Sequence, residues 1–243
     1  MLFIATSRIT LAAACLAGNS FGQLWTDPGD DALPADFEIQ GEYAAKGMGA
    51  QVIALGKGRF HAVVYPGGLP GAGWDGQNKS LLDGRLDGDK AIFVAAEGSR
   101  NYMAREAANF SATREFPPKG HKPYEGVVSE GVFSGASASG VRFSLDRTIR
   151  KSPSLGAKPP RDAIVLFDGS KDSMQNWQGG RFDEKTGLLN TDGRDIRTKE
   201  KFLNYIMHVE FMLPFKPDAR SQGRGNSGFY QVCLLFTSDA ADE

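Results

Sequence analysis

The chain has 243 residues, 41% of them apolar and 23% charged, with 30 Gly and 12 Pro. That length buries one sizeable core or two modest ones, and glycine-rich composition with short apolar runs favours β-structure over helix bundles. A formal net charge of -1 removes any electrostatic reason to expect nucleic acid or an anionic membrane as partner.

Residues 1–22 have the layout of a secretory signal peptide. Arg8 precedes the apolar run Ile9–Gly18, and Ser20-Phe21-Gly22 places small residues before Gln23. The run is too short to anchor the chain across a bilayer, so the expected location is secreted or periplasmic, with no membrane span in the mature chain. Lipidation at Cys15 is the alternative, but only six residues separate Cys15 from Arg8. The other cysteine is Cys233, which leaves no disulfide framework, zinc knuckle or cysteine nucleophile.

Residues 23–35 read as a spacer rich in Asp, Gly and Pro. From 36 to 150 the signals are those of a small antiparallel β domain. Gln51–Leu55 and Arg59–Tyr65 flank Gly56-Lys57-Gly58, and Ser80–Leu86 and Lys90–Ala95 flank Asp87-Gly88-Asp89. Both loops have the glycines that hairpin turns demand. Tyr124–Phe133 and Gly140–Arg147 form a third expected pair; Val141, Phe143 and Leu145 alternate there with Arg142, Ser144 and Asp146. Pro66–Gly76 is either a loop presenting Trp74 and Asp75 to a sugar or a long connection pinned by one buried tryptophan, the preferred reading. Asn101–Asn109, rich in alanine, is the one stretch with helical character. His61 and His121 lack metal-ligand spacing and read as structural or solvent-facing.

Residues 151–161 (KSPSLGAKPPR) form a proline-rich linker. Beyond it a second unit, 162–232, opens with an expected strand at Ala163–Phe167. Tyr205–Leu213 has the clearest strand pattern of the chain. Its odd-numbered residues are apolar, and His208 and Glu210 share the other face. The final residues, 233–243 (CLLFTSDAADE), resemble the in-frame translation of a transposon-type sequencing adapter and are expected to be non-native.

Several strings in the second unit, taken in order, resemble one family. Val165-Leu-Phe-Asp-Gly169 followed by Trp177 is similar to the opening of the 3-keto-disaccharide hydrolase domain, also described as 3-keto-glucoside lyase or 3-keto-glucal hydratase. Gly187-Leu-Leu189, Thr198-Lys199, Phe202, His208–Phe211 with Pro214, and Gly223–Gln231 continue the likeness. Upstream, Gly67–Gly76 and Lys151–Pro160 resemble the N-terminal extension of exported members. The resemblance covers the first third to half of such a domain. It implies an all-β protein whose second unit is a partial concanavalin A-like lectin/glucanase sandwich.

The implied substrate is a glycoside or oligosaccharide with a ketone at carbon 3, which acidifies the neighbouring C2–H. A base removes that proton, the aglycone is eliminated, and water adds back across the glucal. Glu210 and His208 are the expected catalytic pair, supplying base and electrophile or sharing a metal; the alternative is the polar outer face of a strand. Arg224, Asn226, Ser227 and Gln231 are the expected sugar contacts, with turn stabilisation the alternative for Asn226 and Ser227. The cofactor is undefined: a divalent metal fits a full-length domain, but no ligand set is legible. The rival readings are a non-catalytic carbohydrate-binding module and a cell-envelope interaction protein. As a fragment, the chain is expected to be inactive.

Overall fold

The computed structural model describes residues 25–226, 228–231 and 234–236. The expected signal peptide, Ser227 and most of the expected tail lie outside these residues.

A five-residue helix, α1 (Ala35–Ile39), leads into eight strands: β1 (Gly41–Ala45), β2 (Gly47–Gly56), β3 (Arg59–Gly67), β4 (Ser80–Asp87), β5 (Lys90–Ala95), β6 (Tyr124–Ser129), β7 (Val132–Ser137) and β8 (Arg142–Thr148). Each pairs antiparallel with its successor, and β8 returns to β1, so the sheet closes into an eight-stranded up-and-down barrel. Tyr43 sits at the closure, opposite Ala50 on β2 and Arg147 on β8. Closure leaves no free sheet edge.

Inward positions fill the barrel rather than line a lumen. Tyr43, Phe60, Phe93, Phe133, Leu82 and Leu145 interleave there with small Ala50, Ala54 and Ala62. Phe93 packs against Phe60 and Phe133, with ring centroids at 6.1 and 5.1 Å. Room for that ring comes from Gly84, where an added Cβ would lie 2.4 Å from Phe93 Cε1.

The outer face of β3–β4 is covered as well. Val63, Tyr65 and Leu81 pack beneath Ala96, Trp74 and Phe116. Burial on both faces explains why Phe60–Tyr65 reads as a nearly unbroken apolar run instead of an alternation. Much of the cover is the β5–β6 connection, residues 96–123, which doubles back over the wall.

Both expected hairpins form, at β2–β3 and β4–β5. The third expectation needs correction: Tyr124–Phe133 is two strands, β6 and β7, split by a turn at Glu130–Gly131. Glycine at the second turn position takes a backbone conformation that costs other residues energy. Asn101–Asn109 is not a helix either. Only Ala107–Asn109 forms a single 3-10 turn, and Asn101–Tyr102 runs parallel to Phe110–Ser111. Its alanines gave helical propensity without the apolar stripe that would anchor a helix.

After the barrel, residues 151–161 are exposed. The described ladders beyond them are short: Trp177–Gln178 with Arg197–Thr198, Arg181–Asp183 with Leu188–Asn190, and Phe229–Gln231 with Leu234–Phe236. Two expected strands do not form among the described residues. Ala163–Phe167 has no ladder partner; the Leu166 carbonyl instead accepts hydrogen bonds from Asn176 Nδ2 at 3.0 Å and Trp177 Nε1 at 2.9 Å. Tyr205–Leu213 pairs with no strand among the described residues and is exposed on both faces, Ile206 and Phe211 included. Alternation assigns side chains to faces, but a strand exists only where a neighbour supplies the other half of the ladder.

Part of this downstream chain docks on the barrel. Trp25 and Phe215 exchange backbone hydrogen bonds of 3.1 and 2.9 Å, and Phe215 is buried against Trp25 and Phe37.

Candidate functional site

His208 and Glu210 lie two residues apart in the irregular stretch before Pro214. They meet: His208 Nε2 stands 3.0 Å from Glu210 Oε1. Glu210 Oε1 also accepts the Gly156 backbone N–H at 2.6 Å, which ties the pair to the proline-rich stretch. These two hydrogen bonds, that from His208 foremost, hold the Glu210 carboxyl below its ordinary range. The pair is exposed and open to a ligand from solvent. It offers two donors to a metal, and among the described residues no three His, Cys, Asp or Glu side chains gather into a metal-holding group.

The other expected site residues do not join it. Arg224 turns toward the barrel and donates to the Ala54 carbonyl at 2.7 Å, Gln40 Oε1 at 2.7 Å and the Pro217 carbonyl at 3.3 Å. Burial, helped by the charge of Arg220, pulls its pKa down to about 10. Arg220 makes a parallel anchor, donating to the Leu55 carbonyl at 3.0 Å while its guanidinium lies over Phe110. Asn226 is exposed and has no side-chain hydrogen bond among the described residues. Gln231 falls on the strand Phe229–Gln231, and Ser227 lies outside the described residues.

The Pro66–Gly76 loop follows the preferred expectation. Trp74 packs edge-on against Tyr65 at 5.2 Å and donates Nε1–H to the Asn78 carbonyl at 2.8 Å. Asp75 caps its own turn through Gln77 N and Asn78 N. Gly67 and Gly73 let the loop cross itself: a Cβ on Gly67 would lie 2.3 Å from the Gly73 carbonyl oxygen.

Two arrangements escape the sequence. The first is a polar cluster on the outer barrel wall. His61, fully buried, places Nδ1 3.3 Å from Asp83 Oδ1, and Arg100 grips both oxygens of Asp83. Burial pushes the His61 pKa down. For Asp83, burial acts upward, but the bonds from His61 and Arg100 outweigh it and hold the carboxyl low. His61 Nε2 is buried with no hydrogen-bond partner among the described residues, and the His61 and Phe110 rings meet edge-to-face with centroids 5.2 Å apart. His61 and Asp83 are cross-strand neighbours, but the register of β3 on β4 is set across a long loop and not by a tight turn. The second is a cavity of about 570 Å³ between the outer face of β2–β3, the 102–113 stretch and residues 212–225.

No family model, curated protein or solved structure matches the chain.

Proposed function

We propose that the protein is an exported hydrolase or lyase of glycosides bearing a ketone at carbon 3, its chemistry carried by Glu210 and His208. The second unit, in this reading, is the opening part of a concanavalin A-like lectin/glucanase sandwich. The observation that carries the proposal is the exposed pair itself: an ionised carboxylate 3.0 Å from an imidazole nitrogen, reachable from solvent. The ordered strings from Val165 to Gln231 supply the family likeness. Exposed Tyr205, Met207, Val209, Phe211 and Leu213, which would share one face of a paired strand, support the partial-sandwich reading, because an apolar face of this kind is covered in a finished sheet.

The chemistry asks little of the protein beyond these two groups. Glu210 takes the C2 proton, and the electron pair of that bond enters the ketone to give an enolate. The enolate reforms the ketone and expels the aglycone oxygen from C1, leaving a C1–C2 double bond. His208 stands where it can give a proton to the departing oxygen or to the enolate. Water then adds at C1 and a proton returns to C2.

The test is glucal release from a 3-keto-disaccharide by the natural chain continued past Val232. Release that falls at least about a hundredfold in Glu210→Gln, with the fold retained, supports the reading. Glycoside binding without turnover would replace it with a carbohydrate-binding module.

A further inference from the structure

We infer that the cavity between the outer face of β2–β3 and residues 212–225 is a binding site for an amphiphilic carboxylate, an apolar body with one anionic end. The inference does not depend on the proposed sugar chemistry, and neither His208 nor Glu210 lines the cavity. Its volume of about 570 Å³ lies within the range typical of small-molecule pockets, ~300–1,000 Å³. Ile53 and Val63 form an aliphatic floor, and Trp25, Phe37, Phe110 and Phe215 supply aromatic walls. Such a surface suits an alkyl or aryl body better than a sugar, which would leave its hydroxyls facing hydrocarbon.

Charge selects the other end of the ligand. Lys79, Lys216, Arg220 and Arg224 line the cavity, against one carboxylate, Asp27. Asp27 is already taken by Lys185 at 2.7 Å. Arg224 has only neutral acceptors among the described residues, and the charge of Arg220 acts on it unfavourably. Asp218 and Glu106 act on Arg220, but neither lines the cavity. Lys79 lies over the Trp74 ring at 4.7 Å, and neither Lys79 nor Lys216 has an ion-pair partner among the described residues. An apolar pocket whose lining carries more cations than carboxylates favours an anion and disfavours a cation of the same shape.

The experiment is calorimetric titration of the 243-residue chain with decanoate, decanol and decyltrimethylammonium, each below its micellar concentration. Decanoate should bind at least about tenfold tighter than the alcohol, and the cationic amphiphile more weakly than both. Because Arg220 and Arg224 already donate to the Leu55 and Ala54 carbonyls and Gln40, the double variant Lys79→Gln/Lys216→Gln should bring decanoate down close to the level of decanol. Val63→Trp, which fills the floor, should abolish binding of both. Equal affinity for the three amphiphiles, or a decanoate preference that survives the double variant, would overturn the inference. If Val63→Trp does not fold, the lysine variant, altered only at two cavity-edge side chains, still decides the matter.

Discussion

Gly84→Ala tests whether the barrel is a filled core. Gly84 faces inward on β4, and an alanine Cβ there would sit 2.4 Å from Phe93 Cε1 and 2.8 Å from Phe60 Cβ. Because β4 is an ordinary strand at this position, the substitution carries no backbone penalty; in solvent it would even stabilise a strand by about 0.5–1 kcal/mol. The clash reverses the sign. Phe93 is fully buried against Phe60 and Phe133 and cannot swing aside, so overpacking should cost about 1–3 kcal/mol. Phe93→Leu alone removes the ring and should cost about 1–2 kcal/mol, less than the ~3–5 kcal/mol of a truncation to alanine. In that background the clashing ring atoms are gone, and Gly84→Ala should cost clearly less, with only the 2.8 Å approach to Phe60 Cβ left to relieve. The two substitutions should therefore couple by about 1–2 kcal/mol, read from urea unfolding of both single variants and the double at constant m-value. Additivity within about 0.5 kcal/mol, or a neutral Gly84→Ala on its own, would show that Phe93 does not lie over this glycine.

Burial lowers the pKa of His61 below the ordinary imidazole value of 6.5, so the native state resists a proton that the unfolded chain accepts. The contribution is fully present above pH 6.5 and is lost as pH falls below it toward the native value, with a slope of at most ~1.4 kcal/mol per pH unit. Unfolding measured from pH 7 downward should show this loss, and His61→Phe should flatten the curve just below the unfolded imidazole value. Trp74→Ala should lower stability by about 2–4 kcal/mol through lost packing on Tyr65, yet leave oligosaccharide affinity unchanged, since the indole N–H is already spent on Asn78. A selective loss of sugar binding in that variant would restore the binding-loop reading of Pro66–Gly76.

Local chemistry made much of the barrel legible. Gly56-Lys57-Gly58 and Asp87-Gly88-Asp89 are turn sequences between apolar runs of strand length, and both hairpins form. The same logic stumbled at Tyr124–Phe133, where Glu130-Gly131 sits inside a long β-patterned run and a single turn glycine was too slight a signal. At the candidate site, the i, i+2 spacing of His208 and Glu210 kept the two side chains within reach of each other even though the expected strand does not form among the described residues. Arg224 was expected at a sugar, but its donors go to the Ala54 carbonyl, Gln40 and the Pro217 carbonyl, and the first two acceptors are too remote in sequence to be read from it.

The amino-acid order by itself determined the all-β class, the tight hairpins and the faces of the strands, because each depends on residues within a few positions of one another. Only tertiary structure decided that β8 closes on β1, that His61 is set against Asp83 and Arg100, and that Trp25 pairs with Phe215. Those contacts join distant parts of the chain. Their geometry comes from how a twisted sheet closes and what then covers its outer wall, a property of the assembled barrel that no local run of residues encodes.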